Sequence, residues 1–209
     1  MDQGIGTKYD KYLEHLTGDV RNLRDDIQII FRLWEIYPDY REDLKDVSGI
    51  FESISRAYIT STVVLLHRLF DHRSEVNLCE LIRIAQKHSC EIKWERSAPK
   101  PPELEAQLNE IGKLDTPLNR LKTNRDKYYA HLDKKSVFGE HFPLSKNDIK
   151  LAIDLAYSIL QEHHLWRYNV SYSMGVTSPH EMNHLLNLIR IGQKSRITED
   201  SPNRQQGAV

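Results

Sequence analysis

The chain has 209 residues, of which 29 are Lys or Arg and 30 are Asp or Glu, so its formal net charge is −1. This balance excludes the domain-wide basic surface with which proteins grip long nucleic acids, although it leaves a local basic patch open. The longest apolar run, Val63 to Leu66, is too short to span a bilayer, and the polar N-terminus has no signal-peptide pattern. Cys79 and Cys90 lack metal-binding spacing and predict reduced thiols. We therefore expect a soluble, cytoplasmic protein without membrane association.

Helical periodicity dominates the N-terminal half. Apolar residues recur every three or four positions from Leu16 to Trp34, and Pro38 is expected to end this first helix. A long second helix is predicted from about Asp39 to Phe70. Asn77-Leu-Cys-Glu80 has the spacing of a capping box and predicts the start of a third helix. The expected buried stripe of the second helix is Val47, Ile50, Ile54, Ala57, Ser61, Val64 and Arg68, widened by Phe51, Tyr58, Leu65 and Leu69.

The C-terminal half continues the pattern. Residues 97–102 predict an extended linker, residues 103–114 a helix, and Thr116-Pro117 the cap and first turn of another helix that ends before Gly139. The segment 145–148 caps the next helix, and the segment 178–181 caps a short last one. Residues 166–176 fit a strand or a continued helix, and the lack of a second strand candidate favours the helix. The stripe expected for the helix after 145–148 is Ile149, Ala152, Ile153, Ala156, Ile159 and Leu160.

These elements predict an all-α bundle of five or six helices. We expect a single domain over residues 1–191, with its core at about 16–165 and a helical appendage at about 166–191. The remaining residues, 192–209, are polar and predict a disordered tail.

The segment Thr123–Asp133 contains the side chains that most strongly indicate a functional site. Arg125 falls on the apolar seam of its helix, four residues after Leu121, where an unpaired guanidinium would be costly. It must therefore meet a carboxylate, a phosphate or a cleft. His131 follows nearby, and histidine is the side chain best suited to move a proton near neutral pH. The pair predicts an anion site with an acid/base group. In the alternative, Arg125 forms a buried ion pair and His131 caps the helix end.

Other residues are candidates for the same site. Asp126 and Asp71 are possible carboxylate partners of Arg125, since Asp71 follows the second helix and could reach across the bundle. Lys122 and Lys127 could contact phosphate, although surface lysines on helices are usually solvated. The remaining candidates are Tyr128, as a substrate contact, and Asp133, as a supporting carboxylate.

The order of these parts resembles the HEPN superfamily, and within it the AbiU-like branch linked to abortive infection and toxin systems. The family signature is an arginine, usually followed by Asn, Asp or His, with a histidine four to six residues downstream. Arg125, Asp126 and His131 match it, behind two long helices and Leu69-Phe-Asp71. One common variant has a tyrosine two residues after the histidine, where this chain has Asp133. The resemblance implies a metal-independent endoribonuclease that uses no cofactor.

The resemblance also implies a homodimer in which two Arg/His sets share a cleft and the 2′-hydroxyl of RNA attacks the adjacent phosphate. Residues six apart on a helix point about 120° from each other. Arg125 and His131 therefore share a cleft only if the helix frays near His131 or a dimer partner completes the site. Because some members of the superfamily are non-catalytic, the alternative is a helical interaction module that partners an antitoxin or a nucleotidyltransferase.

A competing motif lies near the C-terminus. His180-Glu-Met-Asn-His184 matches the His-Glu-x-x-His pattern of zinc proteases. The positions of the further metzincin ligands are occupied by Asn187 and Arg190, and Glu181 is explained as part of a helix cap. We therefore predict no metal site.

Overall fold

The computed structural model of the protein describes residues 4–40, 48–124 and 146–172, together with residues 184, 187, 188 and 191. Over these ranges the regular structure is helical and contains no strand. The helices within them hold more than half of the chain, which confirms the predicted all-α class. The six helices that the described ranges contain are α1 (Ile5–Tyr40), α2 (Ser48–Phe70), α3 (Leu78–Lys87), α4 (Pro101–Gly112), α5 (Asp115–Asn124) and α6 (Lys146–Tyr168).

The boundary between the first two helices differs from the prediction. Helix α1 continues through Pro38 to Tyr40, and α2 begins at Ser48 rather than near Asp39. A proline in the last turn of a helix forgoes only one intrahelical hydrogen bond. Pro38 therefore marks the approach of the helix end, but not the last residue.

Local capping chemistry explains where the next helices start. The side chain of Asn77 accepts a hydrogen bond from the backbone N–H of Glu80 at 2.8 Å, which confirms the predicted start of α3. The carboxylate of Glu103 accepts from the backbone N–H of Lys100 at 2.7 Å and helps to start α4 at Pro101. Helix α5 begins at Asp115, so Thr116 lies within its first turn rather than at the cap.

The buried face of α2 was predicted only in part, since Leu69 is buried as expected but other predicted positions are exposed. The structure buries Thr62, Val63, Leu66, Leu69 and Phe70, whereas Ile50 is 60% exposed and Val64 is 48% exposed. The run from Val63 to Leu66 is apolar on all sides of the helix, so periodicity alone does not select one face. Arg68, predicted on the stripe, is partly exposed and forms an ion pair with the buried Asp19 of α1.

The chain divides into two compact units. The first comprises Met1–Arg24 and Thr60–Gly175, and the second comprises Asp25–Ile59 and Val176–Val209. The predicted domain bounds stay a prediction, and the predicted tail lies outside the described residues. In the second unit, Arg32 and Glu35 form an ion pair one turn apart, with Nη1 and Oε2 separated by 3.3 Å.

A buried polar network ties three helices of the first unit together. His163 of α6 is fully buried; its Nδ1 lies 2.6 Å from the hydroxyl of Tyr9 on α1 and its Nε2 lies 3.0 Å from Oε1 of Gln107 on α4. The amide nitrogen of Gln107 donates to Glu162 at 2.6 Å, so its oxygen must accept from His163. Nε2 of His163 therefore carries the proton, and Nδ1 accepts from Tyr9. Burial, together with the neighbouring His164, lowers the pKa of His163 to about 3.

The end of α6 is held by Arg167. Its Nε and Nη2 donate to the two carboxylate oxygens of Asp10 at 2.6 and 2.8 Å, in the paired geometry that strengthens charged hydrogen bonds. The backbone N–H groups of Glu95 and Arg96 donate to the last carbonyls of the helix at 3.3 Å each. The interior of the loop between α3 and α4 is thus fastened to the end of α6.

Helix α6 then stops where the prediction continued it. The helix includes Tyr168, but Asn169 has a φ of 53°, in the left-handed region that asparagine tolerates at helix ends. Residues 170–172 are irregular, and the carbonyl of Tyr172 accepts from Tyr157 at 3.0 Å and Gln161 at 2.9 Å. The prediction of a continued helix is correct through Tyr168 and wrong from Asn169 to Tyr172.

The buried His163 predicts a pH dependence of stability. Because its folded pKa lies below the ordinary value of 6.5, the unfolded chain binds a proton between about pH 6.5 and 3 that the folded chain does not. The free energy of unfolding should therefore fall as the pH is lowered through this window, by up to about 1.4 kcal/mol per pH unit from this one group. Urea titrations at several pH values measure the slope.

Two variants test the assignment of this slope. His163→Leu removes the titrating group, so its stability should depend less on pH, with the contribution of the half-buried His164 remaining. Tyr9→Phe removes a hydrogen bond but leaves His163 buried, so it should lower stability at every pH and retain the slope. If folded His163→Leu showed the same dependence of unfolding free energy on pH as the wild type, another group would have to cause that dependence.

Candidate functional site

Most of the predicted site residues lie outside the described residues. Helix α5 includes Lys122 in its backbone and is described up to Asn124, the residue before Arg125. Of the predicted set, Asp71 is the residue whose side chain the structure describes. The residues that lie outside are Arg125, Asp126, Lys127, Tyr128, His131 and Asp133.

Asp71 occupies the turn that follows α2. Its backbone N–H donates to the carbonyl of His67 at 2.8 Å, and its own carbonyl accepts from Ser74 at 2.9 Å. The last turn of α2 is anchored by the buried side chains of Leu69 and Phe70. The apolar end of the helix therefore fixes the position of the carboxylate that follows it.

The carboxylate of Asp71 organises the charged groups around it. One oxygen accepts from the backbone N–H of Arg73 at 3.1 Å and from its Nε at 3.2 Å, and the other accepts from Nη2 at 3.2 Å. Nε2 of His67 lies 3.5 Å from this second oxygen. Burial by itself would raise the pKa of Asp71, but the hydrogen bonds from Arg73 and the neighbouring His67 outweigh it and lower the pKa to about 2. Asp71 is therefore a carboxylate at neutral pH.

Among the described residues, the arginine bonded to Asp71 is Arg73. Arg73 lies two positions along the chain, whereas the predicted pairing of Asp71 with Arg125 stays a prediction because Arg125 lies outside the described residues. His67 was also missed, although its spacing of four residues from Asp71 on a helix was a usable signal. The Asp-x-Arg spacing at the end of a helix was a second one, because aspartate side chains readily bond the backbone two residues ahead.

A cleft of about 340 Å³ opens beside this turn. One wall comes from α2 and the turn, and it is formed by His67, Phe70, Asp71, His72 and Arg73. The other wall comes from α5, and it is formed by Asp115, Leu118 and Asn119. The helix that leads directly into Arg125 therefore also supplies one side of the cleft.

The described ranges contain neither a metal cluster nor a membrane span. No group of three or more His, Cys, Asp or Glu side chains within them is arranged to hold an ion. His184 is exposed, while His180 and Glu181 of the zinc-protease pattern lie outside the described residues. None of the helices, over the part of the chain that the structure describes, combines the length and apolar character needed to cross a bilayer.

Comparison with known proteins identifies the family. No curated protein and no solved structure matches the chain. The family model described as AbiU2, a HEPN family, matches residues 6–189. This match covers most of the 209 residues and includes both the turn at Asp71 and the segment from Arg125 to His131. The chain therefore belongs to the AbiU2 family of HEPN proteins.

Proposed function

We propose that this protein is a metal-independent endoribonuclease that acts in the cytoplasm as an effector of abortive infection or of a related toxin system. The observation that carries the proposal is the Arg125-Asp126 pair with His131 downstream, in a chain that belongs to a HEPN family. The described cleft supports it, because a wall of that cleft is α5, the helix that precedes Arg125.

The proposed chemistry divides the work between charge and proton transfer. Arg125 would hold the phosphate and stabilise the negative charge that develops on it when the 2′-hydroxyl attacks. His131 would take the proton of that hydroxyl or supply one to the departing 5′-oxygen. Lys122, Lys127 and Tyr128 would contact the strand, and Asp126 and Asp133 would orient the reacting groups. Asp71, paired with Arg73, would shape the neighbouring cleft.

Two proton transfers and one histidine per chain argue for a dimer. One His131 acts as base or acid at a given moment, whereas cleavage needs both. We propose a two-fold homodimer in which the two protomers contribute their Arg125 and His131 side chains to a shared cleft.

Alanine substitution of either residue should abolish RNA cleavage without unfolding the protein. Arg125→Ala and His131→Ala should each lower the rate by roughly a hundredfold to ten-thousandfold, because each removes a group that acts in the transition state. Single-turnover cleavage of a labelled RNA and the melting temperature measure the two effects together. His184→Ala, at an exposed position, is the matched control and should cleave normally.

The alternative interpretation, in which Arg125 has a structural role, predicts a different result for the same variants. If Arg125 is a buried ion-pair residue, Arg125→Ala should destabilise the fold by about 3–5 kcal/mol, because its partner is left without a counter-charge. Full activity in well-folded His131→Ala would refute the proposed mechanism. A wild-type protein that cleaves no RNA would instead favour a non-catalytic module that partners an antitoxin or a nucleotidyltransferase.

Complementation tests the shared cleft. Arg125→Ala and His131→Ala protomers are each expected to be inactive, yet their heterodimer retains one Arg125 and one His131 on opposite chains. Unfolding the two variants together and refolding them should therefore restore part of the cleavage activity, relative to each variant refolded alone. No recovery, with heterodimers confirmed by differential tags, would show that one Arg125 and one His131 on opposite chains are not sufficient for cleavage.

Cleavage should also be independent of divalent metal. Arginine supplies the positive charge in the proposed mechanism, so EDTA should leave the rate unchanged at constant ionic strength. If EDTA stopped cleavage and zinc restored it, the His180/His184 pair would become the better candidate. His180→Ala would then lose the activity that the proposal expects it to keep.

A further inference from the structure

The cleft beside α2 has the size and mixed chemistry of a nucleotide site. Its volume of about 340 Å³ lies within the range of roughly 300–1,000 Å³ that is typical of small-ligand pockets. Phe70 and Leu118 contribute apolar surface, while Arg73 and Asp115 contribute charge from opposite walls. A ligand that combines a flat apolar body with an anionic group matches this lining.

Arg73 is oriented by the protein itself. Its Nε and Nη2 donate to the two oxygens of Asp71, and its backbone N–H donates to the same carboxylate. The side chain nevertheless remains 56% exposed and lines the cleft. A guanidinium whose orientation is already fixed loses little conformational entropy on binding an anion, and its planar shape matches phosphate. The lowered pKa of Asp71, about 2, keeps this orientation in place at neutral pH.

The wall from α5 presents hydrogen-bonding groups of a different kind. Asp115 and Asn119 lie four residues apart on the helix, so their side chains share one face, and both are exposed in the cleft. A carboxylate accepts hydrogen bonds, and an amide both donates and accepts them. Groups of this kind read the edges of unpaired bases in single-stranded RNA.

We propose that this cleft binds one nucleotide of single-stranded RNA, with Arg73 contacting a phosphate and with Asp115 and Asn119 contacting the edge of the base. The choice of RNA as the ligand rests on the proposed ribonuclease function, since the described part of α5 leads directly to Arg125. The charges set the direction of the nucleotide, because Asp115 repels the phosphate and Arg73 attracts it. Guanine fits the acidic wall best, because it offers a carboxylate two adjacent N–H donors, whereas uracil offers one between two carbonyls.

Binding can be measured separately from cleavage. A fluorescein-labelled 2′-O-methyl oligoribonucleotide lacks the attacking hydroxyl and cannot be cleaved by this mechanism. Its fluorescence anisotropy with the full chain therefore measures binding affinity only. Arg73→Gln should weaken binding about tenfold or more, since it removes a charged hydrogen bond to phosphate. The slope of log affinity against log salt concentration should also fall by about 0.7, the contribution of one phosphate contact in a single strand.

Three further variants sharpen the test. Arg96→Gln, at an exposed arginine that does not line the cleft, is the matched control and should change neither affinity nor salt slope. Arg73→Lys keeps the charge without the fork, so it should retain the salt slope and lose part of the affinity. Asp115→Asn should reduce the preference for an oligonucleotide with one guanine in a uracil background over one made of uracil alone.

The possible outcomes distinguish failure of the proposed subsite from failure of the proposed ribonuclease function. Wild-type affinity in folded Arg73→Gln overturns the subsite even if the protein cleaves RNA, and so does a wild-type protein that does not bind the oligonucleotide. If binding depends on Arg73 but the wild-type protein does not cleave unmodified RNA, the result supports the subsite and refutes the proposed ribonuclease function. Should Arg73→Gln unfold, Arg73→Lys decides, because full affinity without the fork would overturn the role of Arg73.

Discussion

The neutral, buried His163 is the constraint on which the first unit depends. With Nε2 protonated and Nδ1 accepting, the ring satisfies both its nitrogens between Tyr9 and Gln107, and so connects α1, α4 and α6. A charged ring in the same position would lose its hydration without gaining a counter-ion. The same register brings His164 within 2.9 Å of Thr17 and carries Arg167, one turn later, to Asp10. One uncharged side chain thereby aligns the contacts of α6 with α1.

Asp71 has a comparable role at the cleft. Its carboxylate closes the turn after α2 and orients Arg73 through three hydrogen bonds. Because that turn faces α5, the same carboxylate shapes the wall opposite the helix that precedes Arg125. In the proposed enzyme the two arginines then have separate tasks. Arg73 would hold the strand, and Arg125 would stabilise the reacting phosphate. A strand-binding arginine outside the family motif would allow the chain to select its RNA without altering the residues that cleave it.

The sequence indicated the family motif more directly than the residues around it. Arg125, Asp126 and His131 were recognisable because their spacing is local, and the family match covers them. Asp71 was also singled out, as a carboxylate at the end of a long helix. Its described partner, Arg73, was not predicted, because the expected partner was an arginine across the bundle and Arg73 lies only two residues away. The lining residues Asp115 and Asn119 carry no motif, and only the position of α5 assigns them to a cleft.

By itself the sequence determined the helical class, the cap at Asn77 and the buried stripe of α6 from Ile149 to Leu160, all of which the structure confirms. Each depends on groups within one or two helical turns of each other, so the pattern along the chain contains the information. Only the tertiary structure decided which face of the apolar helix α2 is buried and that His163 is a core residue. Those outcomes depend on partners such as Tyr9, which lies 154 positions from His163. A periodic pattern shows that a helix has an apolar side, but its packing partners determine which atoms are buried.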